Sequence, residues 1–376
     1  MLRRGSTAIV WALASTLLLM TSVPAQAFSV PSLFIKLGAS KTLARPGIIV
    51  IDPTTNQTIY SVAPDIGRAP ASVLKLFSMS TVLNVLSPDL VFKTSLHETT
   101  SQDTFILIGT GDPWITASPF EEHTYQRAFS PSLINKMLKL HPELKSITLE
   151  YENVYSLDIQ ELQRYFAGRL TINPVKVNSI ADATQEIASI ESPPLAKIIE
   201  FTLLYSDNVL ADRLGRQAAH AMGFTTDAAG LQAAFSKTLT DLGVSSVGLH
   251  IYDGNGLSHQ TRVTVRQVAD LLLAIRPNPK FAAILAGLPT SGETGTLRNR
   301  FIADAPNAVG LVHAKTGWID NTVSLAGFVT VGPNEYVFAI VANHIHNLES
   351  ARQAARVTID QMLGTIAKPQ KYQIGD

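Results

Sequence analysis

Apolar residues form two kinds of pattern along this chain, short β-branched runs and longer repeats with a period of about 3.6 residues. The short runs predict strands, because clusters of polar turn residues separate them. Strands joined by such short turns pair in antiparallel fashion. The predicted strands are 46–52, 58–62, 104–108, 246–252, 309–315, 322–331 and 335–343.

The longer repeats predict helices. The first follows Pro70, and its apolar positions favour a largely buried helix over 71–86. The others are 194–221, 227–242, 263–276 and 347–364. From about 116 to 190 the pattern is irregular, which indicates an inserted subdomain. The predicted class is α/β (α+β), an antiparallel sheet flanked by helices from both ends of the chain.

The N-terminus has the layout of a secretory signal. Arg3 and Arg4 precede an apolar run over 8–20, and a small-x-small site ends at Ala27. We therefore expect residues 1–27 to direct export to the periplasm, the cell wall or the medium. The alternative is an uncleaved membrane anchor, although the apolar run is short for a span of about 20 residues.

The amino-acid composition excludes several kinds of partner and site. The 376 residues contain 30 Lys plus Arg and 30 Asp plus Glu, so the formal net charge is zero and a nucleic acid partner is disfavoured. The chain has no cysteine, which excludes disulfides, zinc–cysteine sites and a cysteine nucleophile. Nothing in the pattern indicates an oligomeric state.

Ser72 and Lys75 lie three residues apart in the first turn of the predicted 71–86 helix, so they share one face. A lysine amine in an apolar setting can take the proton of a serine hydroxyl, which makes the serine a nucleophile. The alternative is a capping serine beside a solvated lysine. Two observations favour the catalytic interpretation: this helix is strongly apolar, and no other lysine follows a serine at this spacing.

Two further clusters follow in the chain. Ser206 and Asn208 pair a hydroxyl with an amide near a helix start, where they are suited to relay a proton and hold a substrate amide. Lys315, Thr316 and Gly317 lie at the end of the predicted strand that begins at Val309, and on an edge strand they would offer a cation and a hydroxyl to a carboxylate. Either cluster alone is also compatible with an ordinary turn.

The three clusters, Ser-x-x-Lys, Ser-Asp-Asn and Lys-Thr-Gly, occur in the order found in β-lactamases and penicillin-binding proteins. The chain resembles the D-alanyl-D-alanine carboxypeptidase/endopeptidase family of low-molecular-mass penicillin-binding proteins (class C type, serine β-lactamase-like superfamily). Further stretches that resemble this family are 68–72, 109–113, 192–195, 253–258 and 295–298.

The resemblance implies a penicillin-binding, β-lactamase-like transpeptidase fold. On this basis we divide the chain into a signal peptide at 1–27, a catalytic domain formed by 28–115 with 190–376, and a small inserted subdomain at 116–189. The segment between Ser72 and Ser206 is much shorter than in the larger family members, so their accessory domains are expected to be reduced or absent.

The resemblance also assigns catalytic roles. Ser72 would be acylated and Lys75 would take its proton. Ser206 would pass a proton to the leaving D-alanine, Asn208 would hold the peptide amide or Lys75, and Lys315 would set the local field.

On the binding side, Thr316 with Lys315 would bind the terminal carboxylate, and Gly317 would allow close backbone approach. The backbone N–H groups of Ser72 and Trp318 would form the oxyanion hole. The family commonly has a small hydroxyl residue at the position of Trp318, so the shape of the cleft is expected to differ here.

The implied function is a serine DD-peptidase that acts on peptidoglycan stem peptides, is inhibited covalently by β-lactams, and needs no cofactor or metal. A β-lactamase or esterase with the same machinery is an alternative, but the Glu-x-x-Leu-Asn pattern of class A lactamases is missing between the first two motifs. A non-catalytic wall-binding protein is a second alternative function. His344 and His346 are interpreted as surface or strand-end histidines, not as metal ligands.

Overall fold

The computed structural model describes residues 28–370, so the predicted signal peptide at 1–27 lies outside the described residues. No helix within that range combines the length and apolar character needed to span a membrane. The strands are β1 Arg45–Asp52, β2 Gln57–Val62, β3 Lys93–Glu98, β4 Thr104–Gly109, β5 Ile115–Thr116, β6 Ala128–Phe129, β7 Ser146–Glu152, β8 Thr171–Lys176, β9 Glu186–Glu191, β10 Val312–Ile319, β11 Thr322–Val331 and β12 Asn334–Asn343. The α-helices are α1 Ser32–Gly38, α2 Lys75–Val85, α3 Pro119–Tyr125, α4 Pro131–Leu140, α5 Ser156–Phe166, α6 Leu195–Leu204, α7 Asn208–Ala221, α8 Ala228–Asp241, α9 Val265–Ile275, α10 Ala282–Ala286 and α11 Glu349–Ile366.

The main sheet is antiparallel and has the strand order β10-β11-β12-β1-β2. It confirms the predicted hairpin near the N-terminus and the three strands near the C-terminus. Side chains alternate across it: Ile48 and Val50 pack on the side of α1 and α11, whereas Ile49 and Ile51 pack against the helical layer. Because β1 pairs with β12, the two ends of the chain build one core.

Helix α2 lies at the centre of the helical layer. Its residues 75–83 are all buried, as expected for a helix whose apolar residues are spread around its circumference with no charged face. The predicted helix 71–86 differs at its start, where Ala71–Leu74 forms a 3₁₀ turn. The predicted helix 194–221 is divided into α6 and α7, because Ser206 has a left-handed φ of 60° and Asp207 caps α7.

A second sheet has the order β8-β7-β4-β3-β9, with β4, β7 and β8 mutually parallel. It lies in the part of the chain whose pattern is irregular, yet α4 and α5 follow regular amphipathic spacing within it. The sheet also includes β3 and β4, which precede residue 116. The boundaries 116–189 for an inserted subdomain therefore stay a prediction, and the sheet itself spans Lys93 to Glu191.

The predicted strand 246–252 is wrong. Its only pairing is an isolated bridge between His250 and Arg262, and Gly248 has a φ of 77°, which interrupts an extended backbone. Among the polar contacts between the helical layer and the region of the second sheet is a buried bidentate pair between Arg213 of α7 and Asp158 of α5, with Nη2 2.7 Å from Oδ1. This pair anchors the helix that begins with Asn208.

Candidate active site

Lys75 lies one turn beyond Ser72, and its side chain is fully buried beneath that serine. Its Nζ is 2.7 Å from Ser72 Oγ, 2.7 Å from Asn208 Oδ1 and 2.9 Å from the backbone oxygen of Asn255. A neutral amine has two N–H groups and one lone pair. The two fixed acceptors, Asn208 and Asn255, match those N–H groups and leave the lone pair facing the Ser72 hydroxyl.

Burial lowers the pKa of Lys75 to about 7, although Asp207 and Asp253 act in the opposite direction. A lysine in water, with a pKa of 10.5, is almost entirely protonated at pH 7. In this site, the lowered pKa makes the neutral amine accessible near pH 7. The environment thus supplies a base that the sequence pair alone does not.

Asn255 is a site residue that the sequence reasoning missed. Its carbonyl oxygen receives a Lys75 N–H, and its side-chain amide donates to the Asn208 backbone oxygen at 3.3 Å. Asp253 accepts N–H bonds from Gly256 and Ser258, which holds the loop in place. The run of Asp, Gly and Asn residues signals this turn, but nothing local indicates that a backbone carbonyl would contact Lys75.

Ser206 and Lys315 meet on the opposite side of the cleft. Lys315 Nζ lies 2.8 Å from Ser206 Oγ and 2.9 Å from the Thr316 backbone oxygen. Complete burial, together with the nearby Lys75, holds the pKa of Lys315 well below its ordinary value. The Ser206 hydroxyl therefore contacts an amine that exchanges protons more readily than an ordinary lysine.

The Lys315–Gly317 triplet lies within β10, not at its end, because this strand continues to Ile319. β10 is the outermost strand of the main sheet, which is the position in which the triplet can offer a cation and a hydroxyl to a carboxylate. The Ala314 N–H points away from β11 and donates to Pro289 O, and N–H directions alternate along a strand. The Trp318 N–H therefore points to the same open edge.

Ser72 is the second residue of its 3₁₀ turn, so its N–H is one of the donors that a helix start leaves unpaired. Together with the outward Trp318 N–H, it supports the predicted oxyanion hole. Ala71, immediately before the nucleophile, has a left-handed φ of 50°, a strained conformation for a residue other than glycine.

Two glycines make room for this strained turn. A Cβ at Gly256 would overlap the Ala71 carbonyl oxygen. A Cβ at Gly317 would overlap Ser324 Oγ and approach Pro70 O to 2.8 Å. Because Ser324 Oγ also donates to Pro70 O at 2.6 Å, Gly317 sets the distance between the edge strand and the nucleophile turn.

We expect Gly317→Ala to displace the Ser72 turn. Overpacking should lower the free energy of unfolding by about 1–3 kcal/mol. The displacement should lower kcat/KM for a D-Ala-D-Ala peptide by up to about 100-fold. Urea unfolding and steady-state kinetics measure the two effects. Gly67→Ala is the matched control, because its Cβ would meet nothing closer than 3.4 Å; equal kinetics for the two variants would contradict the positional role of Gly317.

The mouth of the cleft brings most of the predicted residues together with several that the sequence did not indicate. Thr316 Oγ1 lies 2.8 Å from Thr296 Oγ1. Arg298, which lies in a stretch with family resemblance, is exposed and does not line the cleft, whereas Arg300 and Arg356 do. The residues that line it are Ser72, Ser206, Asn208, Leu257, Thr296, Arg300, Thr316, Gly317, Trp318, Val323 and Arg356.

Comparison with known proteins identifies a family. The model of the D-Ala-D-Ala carboxypeptidase 3 (S13) family matches residues 39–140 and 141–366. The carboxypeptidase DacB of Mycolicibacterium smegmatis is 30% identical over 208 residues, which cover 53% of this chain and 44% of that protein. A carboxypeptidase of Mycobacterium tuberculosis is 23% identical over 346 residues, 78% of this chain and 75% of that protein.

Solved structures share the fold. Penicillin binding protein 4 of Haemophilus influenzae superposes with a TM-score of 0.66 at 19% identity, over 85% of this chain and 95% of that one, and has also been solved with a β-lactam. The penicillin G-acylated predatory endopeptidase Bd3459 of Bdellovibrio bacteriovorus superposes with a TM-score of 0.61 at 16% identity, over 87% of this chain and 94% of that one. The predicted fold class and the resemblance are confirmed.

Proposed function

Because this chain belongs to the D-Ala-D-Ala carboxypeptidase 3 (S13) family, we propose that it is a serine DD-peptidase acting on peptidoglycan stem peptides. The observation that carries the proposal is the buried Lys75 amine, 2.7 Å from Ser72 Oγ and held by two acceptors that leave its lone pair facing the hydroxyl. A non-catalytic binding protein would not need such an arrangement, since burying an amine costs free energy.

In the proposed acylation, Ser72 Oγ attacks the carbonyl carbon of the penultimate D-alanine while Lys75 takes the hydroxyl proton. The oxyanion that forms is stabilised by the N–H groups of Ser72 and Trp318. The C–N bond then breaks, and Ser206 gives a proton to the leaving nitrogen. The proton held by Lys75 replaces the one that Ser206 gave, so the step ends with an ester at Ser72, a neutral Lys75, and one proton transferred from the site to the leaving amine.

Deacylation follows the same path in reverse, with water in place of the amine. Ser206 takes a proton from the water as the water oxygen attacks the ester, and passes a proton on to Lys75. Lys75 then returns it to the Ser72 oxygen as that oxygen leaves. The products are a stem peptide shortened by one residue, or a released crosslink partner, and the regenerated serine. β-Lactams would acylate Ser72 in the same manner, as their amide carbonyl takes the place of the peptide.

We also propose that the enzyme acts outside the cytoplasmic membrane. The basic, apolar and small-residue segments of 1–27 support export, and the proposed substrate lies in the cell wall. The N-terminal sequence of protein from culture or periplasm tests this, and a mature chain that begins at Phe28 is the expected result. A chain that retains residues 1–27 would favour an anchor.

The function is tested by incubating the protein with purified peptidoglycan and identifying the products by mass spectrometry. We expect free D-alanine or separated crosslinked peptides, and a labelled β-lactam should attach to Ser72. Turnover of a chromogenic β-lactam should be slow relative to peptide cleavage. Fast β-lactam hydrolysis without release of D-alanine would favour a lactamase, and the absence of any adduct on folded protein would contradict the mechanism.

A further inference from the structure

Arg356 is a cation at the mouth of the cleft for which the proposed mechanism gives no role. It lies on α11, far from the three motifs in the chain, yet it lines the same cleft as Ser72 and Thr316. Its Cζ is 5.5 Å from the centre of the Trp318 ring. Thr316 and Trp318 lie two residues apart on β10, so their side chains stand on the same face of the strand.

The other cations of the site already have partners. Lys315 contacts Ser206 Oγ and the Thr316 carbonyl, and Arg300 forms a buried bidentate pair with Asp360. Within residues 28–370, by contrast, the Arg356 guanidinium has no hydrogen bond and no carboxylate within 4 Å. A half-buried guanidinium that is left with five free N–H groups is suited to an anion from outside the protein.

The electrostatic setting favours the same conclusion. Burial and the nearby Arg300 lower the pKa of Arg356, although Asp360, Asp304 and Glu349 act in the opposite direction from a distance. A guanidinium stays protonated across the physiological range despite such a shift. An anion bound between Arg356 and Thr316 would therefore relieve the repulsion between the two arginines.

A DD-peptide supplies one anion at a fixed position, the carboxylate on the carbon attached to the scissile nitrogen. We propose that Arg356, together with Thr316, binds this α-carboxylate, so that the enzyme requires a free carboxylate beside the leaving nitrogen. This role rests on the proposed function and specifies its substrate class. Trp318 offers no hydroxyl to a carboxylate, but its ring lies against the guanidinium of Arg356 without taking up a hydrogen-bond donor.

Arg352 provides a matched control on the same helix. Its Cζ also lies over the Trp318 ring, at 5.3 Å, but its Nη1 donates to Asp320 O and Asn347 Oδ1, and it does not line the cleft. The two arginines therefore share their aromatic contact, and Arg356 differs by its access to the cleft.

The test compares two peptides, an acyl-D-Ala-D-Ala with a free C-terminal carboxylate and the same peptide with a C-terminal amide. In Arg356→Gln the ratio of kcat/KM for acid over amide should fall about 10- to 100-fold, the loss expected for one charged hydrogen-bonded contact. The lower kcat/KM for the acid peptide should come mainly from a higher KM. Arg356→Lys should recover part of the ratio, and Arg352→Gln should keep it within about 2-fold of wild type.

The outcomes separate this role from the proposed function. An Arg356→Gln variant that loses activity equally on both peptides, with the ratio unchanged, would show a structural role and overturn the proposal. If the acid-over-amide ratio falls equally in Arg352→Gln, the proposal is also overturned, because the effect would then come from the contact that both arginines make with the Trp318 ring. Wild type that cleaves neither peptide would refute the DD-peptidase function itself, and this role with it.

Discussion

Replacing Ser72 with alanine is expected to lower kcat/KM for a D-Ala-D-Ala peptide by about 10⁴- to 10⁶-fold, as removal of a nucleophile does in other serine hydrolases. The covalent β-lactam adduct should disappear as well. The Ser72 hydroxyl contacts only the Lys75 amine among the described side chains, so the fold should survive its loss. Intact-mass spectrometry after incubation with a β-lactam, alongside peptide kinetics, measures both effects.

Ser80→Ala is the matched control for this experiment. Ser80 lies two turns further along the same buried helix, and its hydroxyl has no hydrogen-bond partner within residues 28–370. Its removal should therefore leave kinetics unchanged and stability equal or slightly higher, because an unpaired buried hydroxyl costs free energy. Retention of the adduct in Ser72→Ala would place the nucleophile elsewhere.

Replacing Lys75 with methionine is expected to lower kcat/KM by about 10²- to 10⁴-fold, the usual contribution of a positioned general base. In wild type, kcat/KM should rise with pH through about 7, because the catalytic form of Lys75 is the neutral one. Kinetics measured from pH 5 to 9 test the profile. The rise through about 7 should be missing from the residual activity of Lys75→Met.

The same pKa shift affects stability, and its sign is fixed by linkage. Lys75 has a lower pKa in the folded state than in the unfolded chain, so between pH 7 and 10.5 the unfolded state binds more protons. The contribution of Lys75 to the free energy of unfolding therefore rises with pH over that window. Urea unfolding of wild type and Lys75→Met at several pH values measures the difference, and equal slopes would mean that Lys75 is not a buried neutral amine.

Much of the site was predictable because its chemistry lies in short, local spacings. Ser72 lies in a 3₁₀ turn that leads directly into α2 at Lys75, and residues three apart in such a turn lie on the same side, so their spacing alone places amine and hydroxyl together. The main sheet was predictable for a similar reason, since its C-terminal strands are long, apolar and joined by tight turns. The catalytic roles assigned to these residues stay predictions.

The second sheet was harder to predict. Its parallel strands are short and are connected through α4 and α5, so no single run shows the alternation of a hairpin. The predicted strand at 246–252 has a β-branched composition, but Gly248 adopts a positive φ that composition does not reveal. The second sheet depends on partners that lie distant in the chain, whereas the segment 246–252 depends on the backbone conformation of a single glycine.

The sequence by itself determined the order of the motifs, the buried helix that follows Ser72 and a strand at the Lys-Thr-Gly triplet. The tertiary structure decided that this strand lies at the edge of the sheet. Only the tertiary structure decided that the Asn255 carbonyl would hold Lys75 and that Arg356 would reach the cleft. The first contact joins residues 180 positions apart in the chain, and the second brings α11 against β10. No local spacing encodes such a contact, because it exists only once the separate layers pack around one core.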